Sequence, residues 1–185
     1  MIKSSIFKSY DIRGIYPEQL NEESAFAIGR AFVKYTGAKR VAAGYDARLS
    51  SPQLFKALTD GIVSQGADLF NIGQTPTEGL YFAVGNYDFD AGITVTASHN
   101  PKEYNGFKMV RKRENFVEII SGKDLLPIVE QSSFDKSSIK RGNIFQKDIW
   151  NDYIKHVLSF VDLSKVKKFK IVVDASNGVV GNVIS

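Results

Sequence analysis

The sequence contains no cysteine, and it has only two histidines and one tryptophan among its 185 residues. The absence of cysteine excludes a disulfide framework and any metal site built from thiolates, and it fits a reducing compartment. No apolar run approaches the roughly 20 residues that a membrane-spanning helix needs. No apolar stretch follows the first five residues, so a signal peptide is not expected. We therefore expect a cytoplasmic protein without membrane association.

Positive charges are in modest excess, because 24 Lys and Arg residues outweigh 20 Asp and Glu residues and give a net charge of +4. Such a balance suits nucleic acids, but it also suits phosphorylated small molecules. Basic residues cluster at residues 111–113 and 165–170. No nucleic-acid-binding motif accompanies either cluster, so we interpret both as solvated surface and expect no nucleic-acid partner. A non-catalytic basic module that binds nucleic acid through residues 165–170 stays open as an alternative.

Apolar residues recur alternately at strand and helix spacing over roughly the first two thirds of the chain. Candidate helix caps are Asn21, Ser50 or Ser51, and Thr75. Short connections between alternating strands and helices argue for an α/β layer domain with an antiparallel pair near residue 98. We therefore expect a three-layer α/β/α domain with a mixed sheet over residues 1–145. Its predicted strands cover residues 6–17, 40–45, 67–73, 91–95, 106–110 and 116–120, and its predicted helices cover residues 21–35, 52–65, 75–84 and 124–131.

The remainder of the chain has a different pattern. Residues 131–141 are polar and poor in apolar anchors, so we expect a loop there. Apolar residues recur at helical spacing over residues 148–161, which predicts an amphipathic helix within a linker at residues 146–168. The apolar run at residues 170–174 is typical of a buried strand, and a turn and a new helix are predicted after it. We expect residues 169–185 to be the truncated start of a second α/β domain.

A polar loop follows the predicted strand at residues 91–95 and contains Ser98 and His99. This order places a hydroxyl at the end of a strand, where open α/β sheets bind ligands. Ser98 would be a nucleophile once a base removes its proton or its developing charge is stabilised. The Asn-Gly pair at residues 105–106 predicts a turn, after which Lys108 can face the serine as a base or a cation.

The specificity of this pattern comes from its full length. A bare Ser-His pair is typical of an ordinary polar loop, because short motifs often match by chance. The combination of Ser-His-Asn-Pro at residues 98–101 with Asn-Gly-Phe-Lys at residues 105–108 is much more specific. Arg13 beside Gly14 also suits an anion site, although a surface arginine on a hairpin is the better explanation of that pair taken alone.

The loop after the predicted strand at residues 40–45 contains two charged residues, Asp46 and Arg48. We expect them to pair and to set the shape of this loop. A helix N-terminus after a strand is also a ready anion site. An ordinary capped turn into a helix explains the following Ser-Ser-Pro at residues 50–52 completely.

Two motifs together resemble known enzymes. Residues 96–101 (Thr-Ala-Ser-His-Asn-Pro) and 105–108 (Asn-Gly-Phe-Lys) resemble the active-serine loop of the α-D-phosphohexomutases. Residues 7–14 (Phe-Lys-Ser-Tyr-Asp-Ile-Arg-Gly) resemble the opening signature of the phosphomannomutase/phosphoglucomutase branch. Residues 44–51 resemble a supporting loop of this family, and residues 172–178 resemble the opening of its second domain. The resemblance covers almost the whole chain but only the first part of the family's length.

The resemblance implies reversible phosphoryl transfer between the 1 and 6 positions of a mannose or glucose phosphate. The phosphoryl group would pass through a phosphoserine at Ser98 and a bisphosphorylated sugar. Lys108 would be the general base, Arg13 would stabilise the transferring group, and His99 would position the phosphoserine or the sugar hydroxyl. The implied catalytic residues are Ser98, Lys108, Arg13 and His99, and the implied substrate-binding residues are Tyr10, Asn100 and Lys108.

The same resemblance implies supporting residues, a metal and an activator. Asp46 and Arg48 would support the active-serine segment. Mg²⁺ would bind through the phosphate on Ser98, and its other ligands would lie beyond this chain. Glucose 1,6-bisphosphate or an equivalent compound would phosphorylate the serine. We expect the chain to need the remaining domains of the same protein as partners, to be inactive or a poor enzyme alone, and to carry no residues that distinguish mannose from glucose.

A serine hydrolase that uses Ser98 and a histidine is a rival interpretation. The Gly-x-Ser-x-Gly elbow of many such enzymes is absent from the sequence. His99 would also point away from Ser98 in an extended chain, because neighbouring side chains alternate across a strand.

Overall fold

The computed structural model describes residues 2–131, 140–175, 178, 179 and 181. These residues form a mixed sheet of seven strands with helices, which confirms the predicted α/β class. The strands are β1 (Ile12–Ile15), β2 (Arg40–Tyr45), β3 (Asp68–Gln74), β4 (Ala91–Val95), β5 (Tyr104–Lys112), β6 (Val117–Ile120) and β7 (Ile144–Gln146). The helices are α1 (Glu22–Thr36), α2 (Ser51–Ser64), α3 (Thr77–Asn86), α4 (Gly122–Glu130) and α5 (Trp150–Leu158).

The strand order is β1-β5-β4-β2-β3-β7, and β6 also pairs with β5. The pairs β4-β2, β2-β3 and β3-β7 are parallel, whereas β5 runs antiparallel to β1, β4 and β6. The first half of β5 pairs with β1 and its second half pairs with β6. This arrangement brings the chain entering β1, the loop after β4 and the start of β5 to one end of the sheet.

Apolar side chains fill both faces of the sheet, which gives three layers. Helices α1, α2 and α4 cover one face, and α3 covers the other. Each fully buried Leu, Ile or Phe contributes about 1.5–3 kcal/mol, so these two cores fix where each strand end lies. The first core includes Ile28, Phe32, Leu58, Ile62, Ile93, Phe107 and Leu125. The second core includes Ala42, Leu80, Val84, Val110 and Ile149.

Helix starts show where local sequence decides structure. Asn21 caps α1 as predicted, because its side chain accepts from the Ser24 amide at 3.0 Å and Ser24 Oγ accepts from the Asn21 amide at 2.8 Å. The predicted cap at Thr75 is wrong. Pro76 holds the N-cap position of α3 without a side-chain bond, and Thr75 is buried, with its amide donating to the Tyr45 carbonyl at 3.0 Å.

The segment after α4 departs most from the predictions. Residues 132–139 of the predicted loop, and most of the turn and helix predicted after residue 175, lie outside the described residues. The predicted strand at residues 170–174 is wrong for this structure, since these residues form no strand and Val172 is 91% exposed. The missed strand β7 pairs with β3, and α5 is shorter than predicted, with no residue buried. None of the helices in the described ranges combines the length and apolarity that crossing a membrane requires.

Candidate active site

The loop after β4 begins with buried residues and then exposes a serine. Ala97 is fully buried, whereas Ser98 and His99 are exposed. Ser98 has a φ of 54°, and among the described residues it is the one non-glycine residue with positive φ. This left-handed conformation costs a residue with a β-carbon about 1–2 kcal/mol, and such strain tends to occur at functional positions. The Ser98 amide donates to Thr96 Oγ1 at 3.0 Å, which stabilises the turn.

His99 contacts the serine that precedes it. Its Nδ1 lies 3.3 Å from Ser98 Oγ, within hydrogen-bond distance. The expectation that His99 points away from Ser98 is therefore wrong. The left-handed backbone at Ser98 breaks the alternation of side chains that an extended strand would impose.

Arg48 binds the serine loop through its backbone. Its guanidinium group donates to the carbonyls of Asn100 at 2.6 Å, Pro101 at 2.7 Å, Ser98 at 2.9 Å and Tyr104 at 3.0 Å. The Arg48 side chain is only 14% exposed, and its Nε lies 3.3 Å from Asp46 Oδ2. One planar fork of donors therefore fixes four carbonyls of the loop.

A buried polar network lies beneath this arginine. Asp46 Oδ1 accepts from Ser51 Oγ at 2.6 Å and from the Arg48 amide at 3.0 Å. Asn105 is fully buried, and its Nδ2 donates to Ser50 Oγ at 2.8 Å and Ser51 Oγ at 3.0 Å. The expected cap by Ser50 is absent, since its side chain makes no capping bond to α2. The serine pair instead ties the start of α2 to the start of β5.

Two cations lie on one face of the sheet beside this loop. Arg13 on β1 pairs with Gly106 on β5, and Lys108 lies two residues further along β5. Residues two apart on a strand share a face, so both side chains project from the same face. Thr94 of β4, opposite Lys108, shares that face, and the loop to Ser98 begins directly after β4. The register therefore places Arg13 and Lys108 at the same end of the sheet as Ser98.

A carboxylate joins these two cations. Asp11 Oδ2 lies 2.5 Å from Arg13 Nη2 and 3.8 Å from Lys108 Nζ. The Asp11 side chain is 11% exposed, and those of Arg13 and Lys108 are 17% and 26% exposed. Sequence reasoning missed Asp11 as a site residue. The signal that could have found it is the extended segment predicted over residues 6–17, in which residues 11 and 13 would share a face. In the structure Asp11 directly precedes β1.

Unused hydrogen-bonding capacity remains near these cations. Arg13 Nε and Thr94 Oγ1 are buried, and neither has a hydrogen-bond partner within the described parts of the chain. On the same side of the sheet, burial, Glu78 and Asp11 together raise the pKa of Tyr81. Arg13 Nε, unpartnered among the described residues, is a charged donor, which suits an anionic ligand.

The other predicted site residues lie at the edge of these groups. Tyr10 is 77% exposed, and no hydrogen bond joins it to the cations among the residues that the structure describes. Asn100 contributes its carbonyl to Arg48, as above. The structure thus forms two groups, one of Ser98, His99 and Arg48 and one of Arg13, Lys108 and Asp11. No hydrogen bond within the described ranges joins the Ser98 side chain to Arg13 or Lys108.

The metal expected at Ser98 finds no ligand cluster in this part of the protein. Within the described ranges, no three His, Asp or Glu side chains come close enough together to hold a metal ion. Asp11 already bonds to the two cations, and Asp46 bonds to Arg48 and Ser51. The residues present therefore do not form a Mg²⁺ site by themselves.

Two of the cavities that the described residues form lie outside these groups. One of about 320 Å³ borders the serine loop and is lined by Tyr16, Leu49, Ser50, Gln53, Lys102 and Glu103. A larger one of about 520 Å³ lies at the opposite end of the sheet, lined by residues 36–39, 88–90 and 111–114. The basic residues 111–113 at this second cavity are not simply solvated surface. Arg111 and Arg113 both bond to Glu118, at 2.7 and 2.6 Å.

Comparison with known proteins assigns the chain to a family. Residues 4–129 match the sequence model described as phosphoglucomutase/phosphomannomutase, alpha/beta/alpha domain I. The chain belongs to the phosphoglucomutase/phosphomannomutase family. The resemblance seen in the sequence motifs is thereby confirmed, and the matched region contains both groups of site residues described above.

Relatives of this family extend well beyond the length of this chain. The chain is 38% identical to a phosphomannomutase of Escherichia coli, and the match spans all of this chain but 41% of that protein. It is 39% identical to a phosphoglucomutase of Neisseria meningitidis serogroup B, over 97% of this chain and 39% of that protein. The chain therefore spans about two fifths of the length of these relatives.

Solved structures agree with this assignment. The chain matches a phosphoglucomutase/phosphomannomutase family protein of Burkholderia thailandensis with a TM-score of 0.77 at 33% identity, over 89% of this chain and 38% of that one. The fold also matches a putative phosphomannomutase of Thermus thermophilus, with a TM-score of 0.67 at 20% identity over 88% of this chain. The mixed α/β architecture is thus that of the family.

Proposed function

We propose that this chain carries the phosphoryl-transfer part of a hexose-phosphate mutase, with Ser98 as the residue that holds the phosphoryl group. One observation supports this most strongly. Ser98 is exposed in a left-handed turn whose backbone is held by Arg48, at the same end of the sheet as Arg13 and Lys108. A hydroxyl on a rigid loop beside cations suits a phosphate of about −1.5 to −2 charges.

The proposed reaction moves one phosphoryl group between two oxygens. The bond from phosphorus to Ser98 Oγ breaks as a bond from phosphorus to the attacking sugar oxygen forms, and the departing serine oxygen takes up a proton to become a hydroxyl again. Lys108 accepts the proton of the sugar hydroxyl as the general base. The bisphosphorylated sugar then turns round and returns its other phosphoryl group to Ser98. Sugar 1-phosphate and 6-phosphate are thereby interconverted without loss of phosphate.

Catalysis in this scheme depends mainly on charge and position. Phosphoryl transfer spreads negative charge over the oxygens of the transferring group. Arg13, fixed on β1, would donate charge-assisted hydrogen bonds to those oxygens without reorganising, and Lys108 would add a positive charge beside them once it has taken the proton of the sugar hydroxyl. His99, 3.3 Å from Ser98 Oγ, would orient that oxygen. Tyr10 and Asn100 would contact the sugar phosphate, and Arg48 with Asp46 would hold the loop.

The proposal includes components that these residues do not supply. Mg²⁺, bound at an oxygen of the phosphorylated Ser98, would neutralise charge on the transferring group, with its protein ligands outside the described residues. Glucose 1,6-bisphosphate or an equivalent would phosphorylate the serine. The substrate would be mannose phosphate, glucose phosphate or both. The remaining domains would come from the rest of a longer protein, so the isolated chain would be inactive or weakly active.

The test is turnover by the full-length protein. We expect conversion of glucose 1-phosphate or mannose 1-phosphate to the 6-phosphate in the presence of Mg²⁺ and glucose 1,6-bisphosphate. Ser98→Ala should abolish turnover, whereas Ser64→Ala, a serine at the end of α2 far along the chain from the loop, should leave it within twofold of wild type. Absence of turnover with both sugars would refute the proposal. Turnover that survives Ser98→Ala would refute the role of this serine.

A further inference from the structure

Asp11 is a buried carboxylate that contacts both cations of the proposed site. Its Oδ2 lies 2.5 Å from Arg13 Nη2 and 3.8 Å from Lys108 Nζ, and its side chain is 11% exposed. Taking a carboxylate out of water is costly unless it is paired. The pairing with two cations compensates that cost. The position of each cationic group therefore depends on this one oxygen.

The backbone of Asp11 is fixed from two sides. Its carbonyl accepts from the Lys8 amide at 2.8 Å, and a β-bridge joins Phe7 to Ile12 on either side of this turn. Gly122, the first residue of α4, packs against the same carbonyl. A β-carbon at Gly122 would lie 2.2 Å from the Asp11 oxygen, so only glycine fits there. The carboxylate thus projects from a rigid support, as positioning at sub-ångström precision requires.

We propose that Asp11 is a positioning residue for the phosphoryl transfer, holding the charged ends of Arg13 and Lys108 where they meet the transferring group. This inference rests on the proposed function. Asp11 also places one negative charge beside the phosphate site. It therefore weakens ground-state binding of anions while it keeps the two cations in the geometry that the transition state needs. Interactions that favour the transition state over the ground state are those that raise kcat.

The two effects predict changes of opposite sign when the charge is removed. Asp11→Asn keeps the size of the side chain and one acceptor oxygen but removes the negative charge. Anions should then bind more tightly, because two unit charges some ångströms apart interact appreciably even at a partly exposed site. Turnover should fall, because Arg13 and Lys108 lose their common anchor. If Asp11 served stability alone, its replacement would lower both turnover and the affinity for anions.

The experiment compares Asp11→Asn with a matched control. Glu118 is also a carboxylate held by two cations, Arg111 and Arg113, but it lies on β6, beside the other end of β5. For Asp11→Asn in the full-length protein we expect kcat to fall at least tenfold while KM for the sugar 1-phosphate stays level or falls. The dissociation constant for inorganic phosphate should fall about three- to tenfold. Glu118→Gln should change each value less than twofold, and melting temperatures report any loss of folding.

Each outcome distinguishes a positioning role of Asp11 from a purely structural one. Turnover within twofold of wild type in Asp11→Asn would overturn the inference. So would parallel losses of kcat and phosphate affinity that follow the melting temperature. If the wild-type protein converts no hexose phosphate, the proposed function fails, and the phosphate titration still tests Asp11. Tighter phosphate binding by Asp11→Asn would then support its effect on the cations, and unchanged or weaker binding would refute it.

Discussion

Replacing Arg48 should release the serine loop. Its guanidinium group donates four hydrogen bonds to the carbonyls of Ser98, Asn100, Pro101 and Tyr104. Water can replace the guanidinium group at the exposed Ser98 and Pro101 carbonyls, so those two hydrogen bonds contribute little to the free energy of unfolding. The two part-buried bonds, to Asn100 and Tyr104, are worth about 1–1.5 kcal/mol each. We therefore expect Arg48→Ala to lower the free energy of unfolding by about 2–3 kcal/mol.

The assay has a global and a local readout. Urea unfolding gives the free energy, and amide hydrogen exchange should quicken at Asn100 and Tyr104, whose amides bond within the loop at 3.1 Å each. Arg48→Lys should recover only part of the loss, because an ammonium group lacks the planar fork. Arg141, an exposed arginine paired with Asp60, is the control. If Arg48→Ala lowers the free energy of unfolding no more than Arg141→Ala does, and amide hydrogen exchange in the loop is unchanged, the proposal that Arg48 holds the loop is refuted.

Two further predictions test the close packing of β5 on β1 and the ion pairs of Glu118 at the other end of the sheet. Gly106→Ala should cost about 2–4 kcal/mol, since its β-carbon would lie 2.1 Å from the Ile12 carbonyl oxygen. Gly85→Ala in α3 meets only an ordinary contact of 3.5 Å and should be neutral or stabilising; equal urea midpoints for both variants would contradict this packing. Hydrogen bonds from two arginines lower the pKa of Glu118 from 4.5 to about 2. A carboxyl with a depressed pKa stabilises the fold above its unfolded pKa, so wild type should lose its advantage over Glu118→Gln as pH falls from 4.5 to about 2. A difference in unfolding free energy that stays constant through this pH range would show that the ion pairs do not contribute.

Local chemistry made the central elements predictable from sequence. The strands at residues 40–45 and 91–95 end where predicted, because short apolar runs bounded by polar turns have few alternatives. Asn21 caps α1 through bonds within three residues, so no distant partner is involved. Thr75 was predicted wrongly because its burial depends on contact with β2, which local sequence does not reveal.

Non-local pairing explains the other errors. The apolar residues at 170–174 favour burial, but the sequence does not reveal which strand would pair with them. In this structure they are exposed. The three residues of β7 include the apolar Ile144 and Phe145, but so short a run does not by itself indicate a strand, and its pairing with β3 is what makes it one. Asp11 and Lys108 are 97 positions apart, so their contact follows from the β1–β5 register and not from either motif.

The central claim is that the exposed hydroxyl of Ser98 carries a phosphoryl group. The most direct measurement is the intact mass of the full-length protein after incubation with glucose 1,6-bisphosphate and Mg²⁺, with the modified peptide then located by fragmentation. We predict one added phosphoryl group on Ser98, removed by incubation with excess sugar 1-phosphate and absent in Ser98→Ala. An unmodified protein, or a phosphoryl group on a different residue, would contradict the account.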